Sequence, residues 1–185
     1  MGPALPALFV SLCLAAAAAG AQEMKMHRKQ AGEPDASGWM LAESTEGRFS
    51  VRMPIRFNDF TVVETNANAP AERSHTVGAR SSEGIALVAT RITYRKGAAG
   101  AKEYFARLEK GEGLAGKPQR LRKRQAAGRP VVDLELGSPA KVAYMRAVLL
   151  GSEVMMLTVE APRAHDEDAR LLVPAFFESL QADPK

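Results

Sequence analysis

The stretch VAYMRAVLLGSEVMMLTV, Val142–Val159, decides the fold. From Val142 to Leu150 the residues are apolar at successive positions, with Arg146 the one charge. A strand of that kind is covered on both faces and lies inside a sheet. Gly151-Ser152 then suits a two-residue hairpin turn, because glycine in first place supplies the positive φ such a turn needs. Glu153 to Val159 returns antiparallel, and Met155 and Met156, on opposite faces, fill the core on either side.

Working outward, Val132, Leu134 and Leu136 alternate with Asp133 and Glu135, as in a half-buried strand. Arg120 to Gln125 alternates charge on one face with mixed character on the other. Ala101, Tyr104, Phe105 and Leu108 recur at helical spacing, and Gly111 and Gly113 stop that helix. Further upstream, Ile85–Tyr94 and His75–Ala79 read as paired strands joined by Ser81-Ser82-Glu83-Gly84. Residues 65–72 read as a loop, Phe60–Val63 as a short strand, and Phe49, Val51, Met53 and Ile55 as a strand ended by Pro54 or lying at an edge. Downstream, Leu172, Phe176 and Leu180 form one helical stripe within Asp166–Gln181, widened by Val173 and Phe177. Pro174 falls inside it, so the helix is expected to kink or restart there. The order β-β-β-β-α-β-β-β-β-α makes the fold class α+β, an antiparallel sheet packed by a mid-chain and a C-terminal helix.

The ends of the chain set its organisation. The first 21 of 185 residues carry no charged side chain, so all 25 Lys+Arg and 21 Asp+Glu lie beyond them. An apolar run closing on Ala19-Gly20-Ala21 suits a signal peptide cleaved before Gln22, although the segment before the run has no Lys or Arg. The run is short for a membrane span, and no transmembrane span is expected once the leader is removed. Export places the protein in the periplasm or outside the cell. Cys13 is the only cysteine and would leave with the leader, so disulfides, cysteine nucleophiles and zinc-cysteine sites are excluded from the mature chain. Residues 22–38 are polar, with Gly32, Pro34 and Gly38, and read as a flexible tether; 39–182 read as a single domain.

Trp39, the segment Gly47-Arg48-Phe49-Ser50-Val51-Arg52-Met53-Pro54, the glycine-ended helix, the antiparallel strands and Phe176-Phe177-Glu178-Ser179-Leu180 together resemble PsbP-like domains. The likeness is closest to the uncharacterised bacterial periplasmic members of that fold. It implies an α/β/α sandwich over about 39–182 and an accessory or binding role, as for the extrinsic subunits of photosystem II or a nuclear-import factor. It supplies no catalytic residue set. The residues themselves give both segments structural work: Phe49, Val51 and Met53 bury on one sheet face, and Phe176 and Leu180 hold the last helix on it. Ser179 is expected to bond to backbone.

No P-loop, dinucleotide, zinc-protease or paired-carboxylate signature occurs, and no cofactor is expected. Ser74, Ser81 and Ser82 lie near His75 in the hairpin, but no nucleophile elbow surrounds them, and a surface histidine is the plainer reading. His165-Asp166-Glu167-Asp168 offers ligands for a divalent ion; acids in a first helical turn, with Asp166 as cap, account for it equally simply and are preferred. Met24, Met26 and His27 offer donors for Cu(I), but too few to close a site. The clearest charge feature is Lys117, Arg120, Arg122, Lys123, Arg124 and Arg129, with no acid between them. In an extended segment Arg120, Arg122 and Arg124 share a face and can meet phosphate or carboxylate. The plainer reading is an edge strand kept soluble by its charges. No aromatic residue interleaves them, so nucleic acid is not the expected partner.

The expected function is a non-catalytic periplasmic binding or accessory module of the cell envelope. Its partner would be an envelope protein or an anionic surface, met in part through Arg120, Arg122 and Arg124. The alternative is a small periplasmic hydrolase or metal-handling protein, so enzymatic activity stays open. The sequence does not speak to oligomeric state.

Overall fold

The computed structural model describes residues 22–114 and 117–183. The expected leader lies outside the described residues. Eight strands form one sheet: β1 (Gln22–Ala31), β4 (Phe57–Glu64), β5 (Ala71–Arg80), β6 (Ala86–Tyr94), β10 (Glu153–Pro162), β9 (Lys141–Leu150), β8 (Arg129–Gly137) and β7 (Arg120–Ala126), adjacent in that order. Every pairing is antiparallel. Three short strands, β2 (Met40–Glu43), β3 (Phe49–Met53) and β11 (Gln181–Ala182), make a second sheet with β3 in the middle. Helix α1 covers Gly97–Leu108, and α2 covers Asp166–Glu178 after a single 3-10 turn at Arg163–His165. The α+β class with an antiparallel sheet and two helices is observed.

The hairpin β9–β10 is central, as its apolar run requires. Leu150 pairs with Glu153 across Gly151-Ser152, and Gly151 takes φ +72°. Alternate residues of the two strands feed two separate cores. Tyr144, Val148, Met155, Leu157 and Val159 join one with α2 residues Ala169, Phe176 and Phe177. Met145, Ala147, Val154 and Met156 join the other with α1 residues Ala101, Phe105 and Leu108. Met155 and Met156 are both buried and divide between them as strand alternation demands.

Phe49, Val51 and Met53 lie in the first core with Phe176, and Leu180 packs against it. Their strand, however, is not part of the large sheet. β3 pairs with β2 and β11, neither of which the alternation pattern announced, because four- and two-residue strands are too short to show a period. Ser179 Oγ donates to the Phe176 carbonyl at 2.7 Å and accepts the Arg52 amide at 2.9 Å, so it ties the end of α2 to β3 through backbone, as expected.

Two expectations are corrected. Residues 22–31 are not a tether: Gln22–Ala31 is strand β1, paired from Gln22↔Glu64 to Ala31↔Phe57 with register shifts after Met26 and Arg28. Its side chains are almost all polar or exposed, so no hydrophobic alternation marked it, and backbone pairing holds it. Of the two outcomes expected at Pro174, a kink or a restart, the restart does not occur: helix α2 runs unbroken from Asp166 to Glu178. Burial of Ala169 before the proline and of Phe176 and Phe177 after it outweighs the lost amide bond.

Candidate functional site

Strand β7 forms one edge of the large sheet and begins with the expected arginine stripe. It meets β8 through the two-residue turn Ala127-Gly128, whose φ values of +49° and +74° are those of a type I′ hairpin. In this register Arg120 lies opposite Glu135, Arg122 opposite Asp133 and Arg124 opposite Val131. The three arginines therefore share one sheet face, but β8 brings acids to that same face. Arg124 Nε donates to Asp133 Oδ2 at 3.1 Å, and Asp133 also accepts Arg146 Nε at 2.7 Å. Arg146 continues to Glu178 of α2 at 2.7 Å and lies over the Phe177 ring. Burial would lower the Arg146 pKa, but its bonds to Asp133 and Glu178 prevail and raise it. Arg120 is 3.9 Å from Glu135, which Arg170 of α2 also approaches at 3.5 Å. Arg122 is exposed and, among the described residues, makes no ion pair. The stripe is therefore graded: Arg124 is committed to the fold, Arg120 is loosely held and Arg122 is free.

The second constellation joins the far edge to the sheet. Thr61 of β4 stands between His27 of β1 and His75 of β5, its Oγ1 2.8 Å from His27 Nε2 and 2.9 Å from His75 Nδ1. The same hydroxyl donates to Glu46 Oε2 at 3.2 Å, and Lys25 Nζ reaches Glu46 Oε1 at 2.7 Å. A hydroxyl has one proton and two lone pairs. With its proton on Glu46, Thr61 accepts from both rings, which assigns Nε2–H to His27 and Nδ1–H to His75. Glu46 is held below its usual pKa, first by the Lys25 bond. His75 is lowered from 6.5 chiefly by burial, with Arg73 and His27 adding to the fall while Glu46 and Glu153 oppose it.

Thr61 is only 3% exposed, so its hydroxyl has a base but no access to a substrate. Among the described residues no three His, Cys, Asp or Glu side chains are placed to hold a metal ion. Met24 and Met26 lie opposite Val62 and Phe60 in β1–β4, on the face away from Thr61, where His27 points, so the soft donors diverge. His75 bonds Thr61 and not a serine of the hairpin. His165 pairs with Asp168 at 3.2 Å at the surface. Asp166 does not cap α2: His165 holds the N-cap position, its side chain making no capping bond to the backbone, and Asp166 instead accepts from the Tyr144 hydroxyl and from Arg163 at 3.2 Å. Burial, then that bond, pushes the Tyr144 pKa up to about 12.

A buried neutral histidine has a pH signature. His75 takes up a proton less readily folded than unfolded, so the unfolded chain binds more protons below the ordinary value of 6.5. Stability from this group is full above pH 6.5 and drains as the pH falls from there towards the depressed folded value. Denaturant unfolding between pH 7.5 and 5 is expected to show the loss, at no more than about 1.4 kcal/mol per pH unit for one proton. His75→Asn should flatten that slope, and an unchanged slope would refute the assignment.

Together these features describe an antiparallel α+β protein with a basic sheet edge. No family model matches the chain, and no curated protein does. The chain is similar to the solution structure of cyanobacterial PsbP (CyanoP) from Synechocystis sp. PCC 6803, at 11% identity and a TM-score of 0.47, over 83% of this chain and 98% of that one. It is also similar to the crystal structure of LpqN, involved in cell envelope biogenesis of Mycobacterium tuberculosis, at 14% identity and a TM-score of 0.37, over 90% and 87%. No helix among the described residues is long and apolar enough to cross a membrane.

Proposed function

We propose that the chain is a PsbP-like domain of α/β/α sandwich build, carried by its leader to the periplasm or beyond. There it acts as a non-catalytic binding or accessory module of the cell envelope. Arg120, Arg122 and Arg124 face an anionic partner, an envelope protein or an anionic surface. The observation that carries this is the state of Arg122: exposed on an edge strand, flanked by like charges, and without an acid of its own among the described residues. A guanidinium so placed offers its forked donors to carboxylate or phosphate from outside. Arg124 contributes less, since Asp133 already holds it.

The test is the double charge reversal Arg120→Glu/Arg122→Glu, leaving Arg124 in place to preserve its contact with Asp133. Retention on anionic vesicles and on the native envelope fraction at low salt is expected to fall by about tenfold, with the difference shrinking in high salt. Unchanged retention on both would remove the stripe from the function.

A further inference from the structure

Both edges of the large sheet are exposed strands, but they are built differently. β1 breaks its register twice and carries Gln30 at φ +48°, devices that spoil an edge as a template for pairing. β7 has neither: its seven residues pair one-to-one with β8, from Arg120↔Glu135 to Ala126↔Arg129, with no shift and no proline. Among the described residues, only its charge guards it. Arg120, Arg122, Lys123 and Arg124 repel a basic strand, and a second copy of β7 would set like charges opposite one another. The same charges do not repel an acidic strand. β8 shows the complement on the inner side, placing Asp133 and Glu135 opposite Arg122 and Arg120.

We infer that an extended acidic segment of a partner protein adds to β7 as a ninth antiparallel strand, with alternate carboxylates on Arg120 and Arg122. The inference rests on the anionic-partner reading above and names the occupant. Strand addition gives affinity through main-chain bonds and selectivity through alternate side chains. In an antiparallel ladder closed by a two-residue turn, the closing pair Ala126–Arg129 is hydrogen-bonded. Arg120, Arg122 and Arg124 therefore turn their backbone groups towards β8, and Leu121, Lys123 and Gln125 turn theirs outward. Those three residues supply the amides and carbonyls a ninth strand would use. The arginine side chains stand over the face where its carboxylates arrive.

The test uses the purified protein, the probe acetyl-EVEVEVE-amide, and the same peptide N-methylated at every second residue. Methylation keeps the charge and removes the donors. The plain peptide is expected to bind at low salt at least about tenfold more tightly than the methylated one. It should slow hydrogen exchange at Leu121, Lys123 and Gln125, and lose its affinity for Arg122→Glu. Equal binding of the two peptides, both lost in Arg122→Glu, would overturn strand addition while leaving the anionic patch intact. Binding to anionic vesicles with no binding of either peptide would overturn it in favour of a membrane surface. No binding of peptides or vesicles would overturn strand addition and the proposed function together.

Discussion

Replacing Arg91 by methionine is expected to destabilise the protein by about 3–5 kcal/mol, the cost of breaking an ion pair whose guanidinium is buried and of leaving the half-buried Glu153 carboxylate without its partner. Arg91 lies on β6 with 3% of its surface exposed. Its guanidinium bonds Glu153 of β10 through Nε at 2.8 Å and through a second nitrogen. It also bonds Asp183 at 2.8 Å and the carbonyls of Gly47 and Arg48 at 3.3 and 3.2 Å. One side chain thus binds the large sheet, the β2–β3 connection and the C-terminal end of the described chain. Burial disfavours its charge, but the bonds to Glu153 and Asp183 outweigh that and raise its pKa. The denaturant midpoint should fall, and Arg91→Met/Glu153→Leu should be less damaging than the sum of its parts, since the orphaned carboxylate is gone. A loss under about 1 kcal/mol for Arg91→Met would show that the cluster is not needed to hold these elements.

Phe176→Ala is expected to cost a similar amount, about 3–5 kcal/mol. Phe176 is fully buried, beside Phe177 at 5.9 Å between ring centres, in the core that also holds Phe49, Val51 and Met53. Its removal leaves a cavity where α2, the small sheet and β10 converge, and α2 has no hydrogen-bonded N-cap side chain to compensate. Leu171→Ala on the same helix should change stability by less than about 0.5 kcal/mol, because that side chain is 80% exposed. Equal effects at the two positions would mean that α2 is not anchored through this core.

The parts legible in the chain are those where burial imposes a period. β9 and β10 alternate between two cores, α1 and α2 present helical stripes, and Gly151 takes the left-handed turn that its position between two apolar runs requires. What escaped detection has polar or very short sequence. β1 looks like a linker because its outer side chains face water, yet its backbone pairs along β4. β2 and β11 are too brief to carry a pattern, so β3 could not be separated from the main sheet.

The arginine stripe was visible as charge, but its grading was not. Which arginine is free depends on β8 placing Asp133 and Glu135 across from it, and on α2 delivering Glu178 and Arg170 to the same face. The His27–Thr61–His75–Glu46 cluster had no signal at all, since its members come from three strands and a loop and meet only through register. Local side-chain chemistry by itself determined where the longer buried strands and the helices form, because each buried face must repeat with the geometry of its own backbone. Only the tertiary structure decided which charges are cancelled and which remain open, because an ion pair depends on separation in space, and a long-range pairing sets that separation.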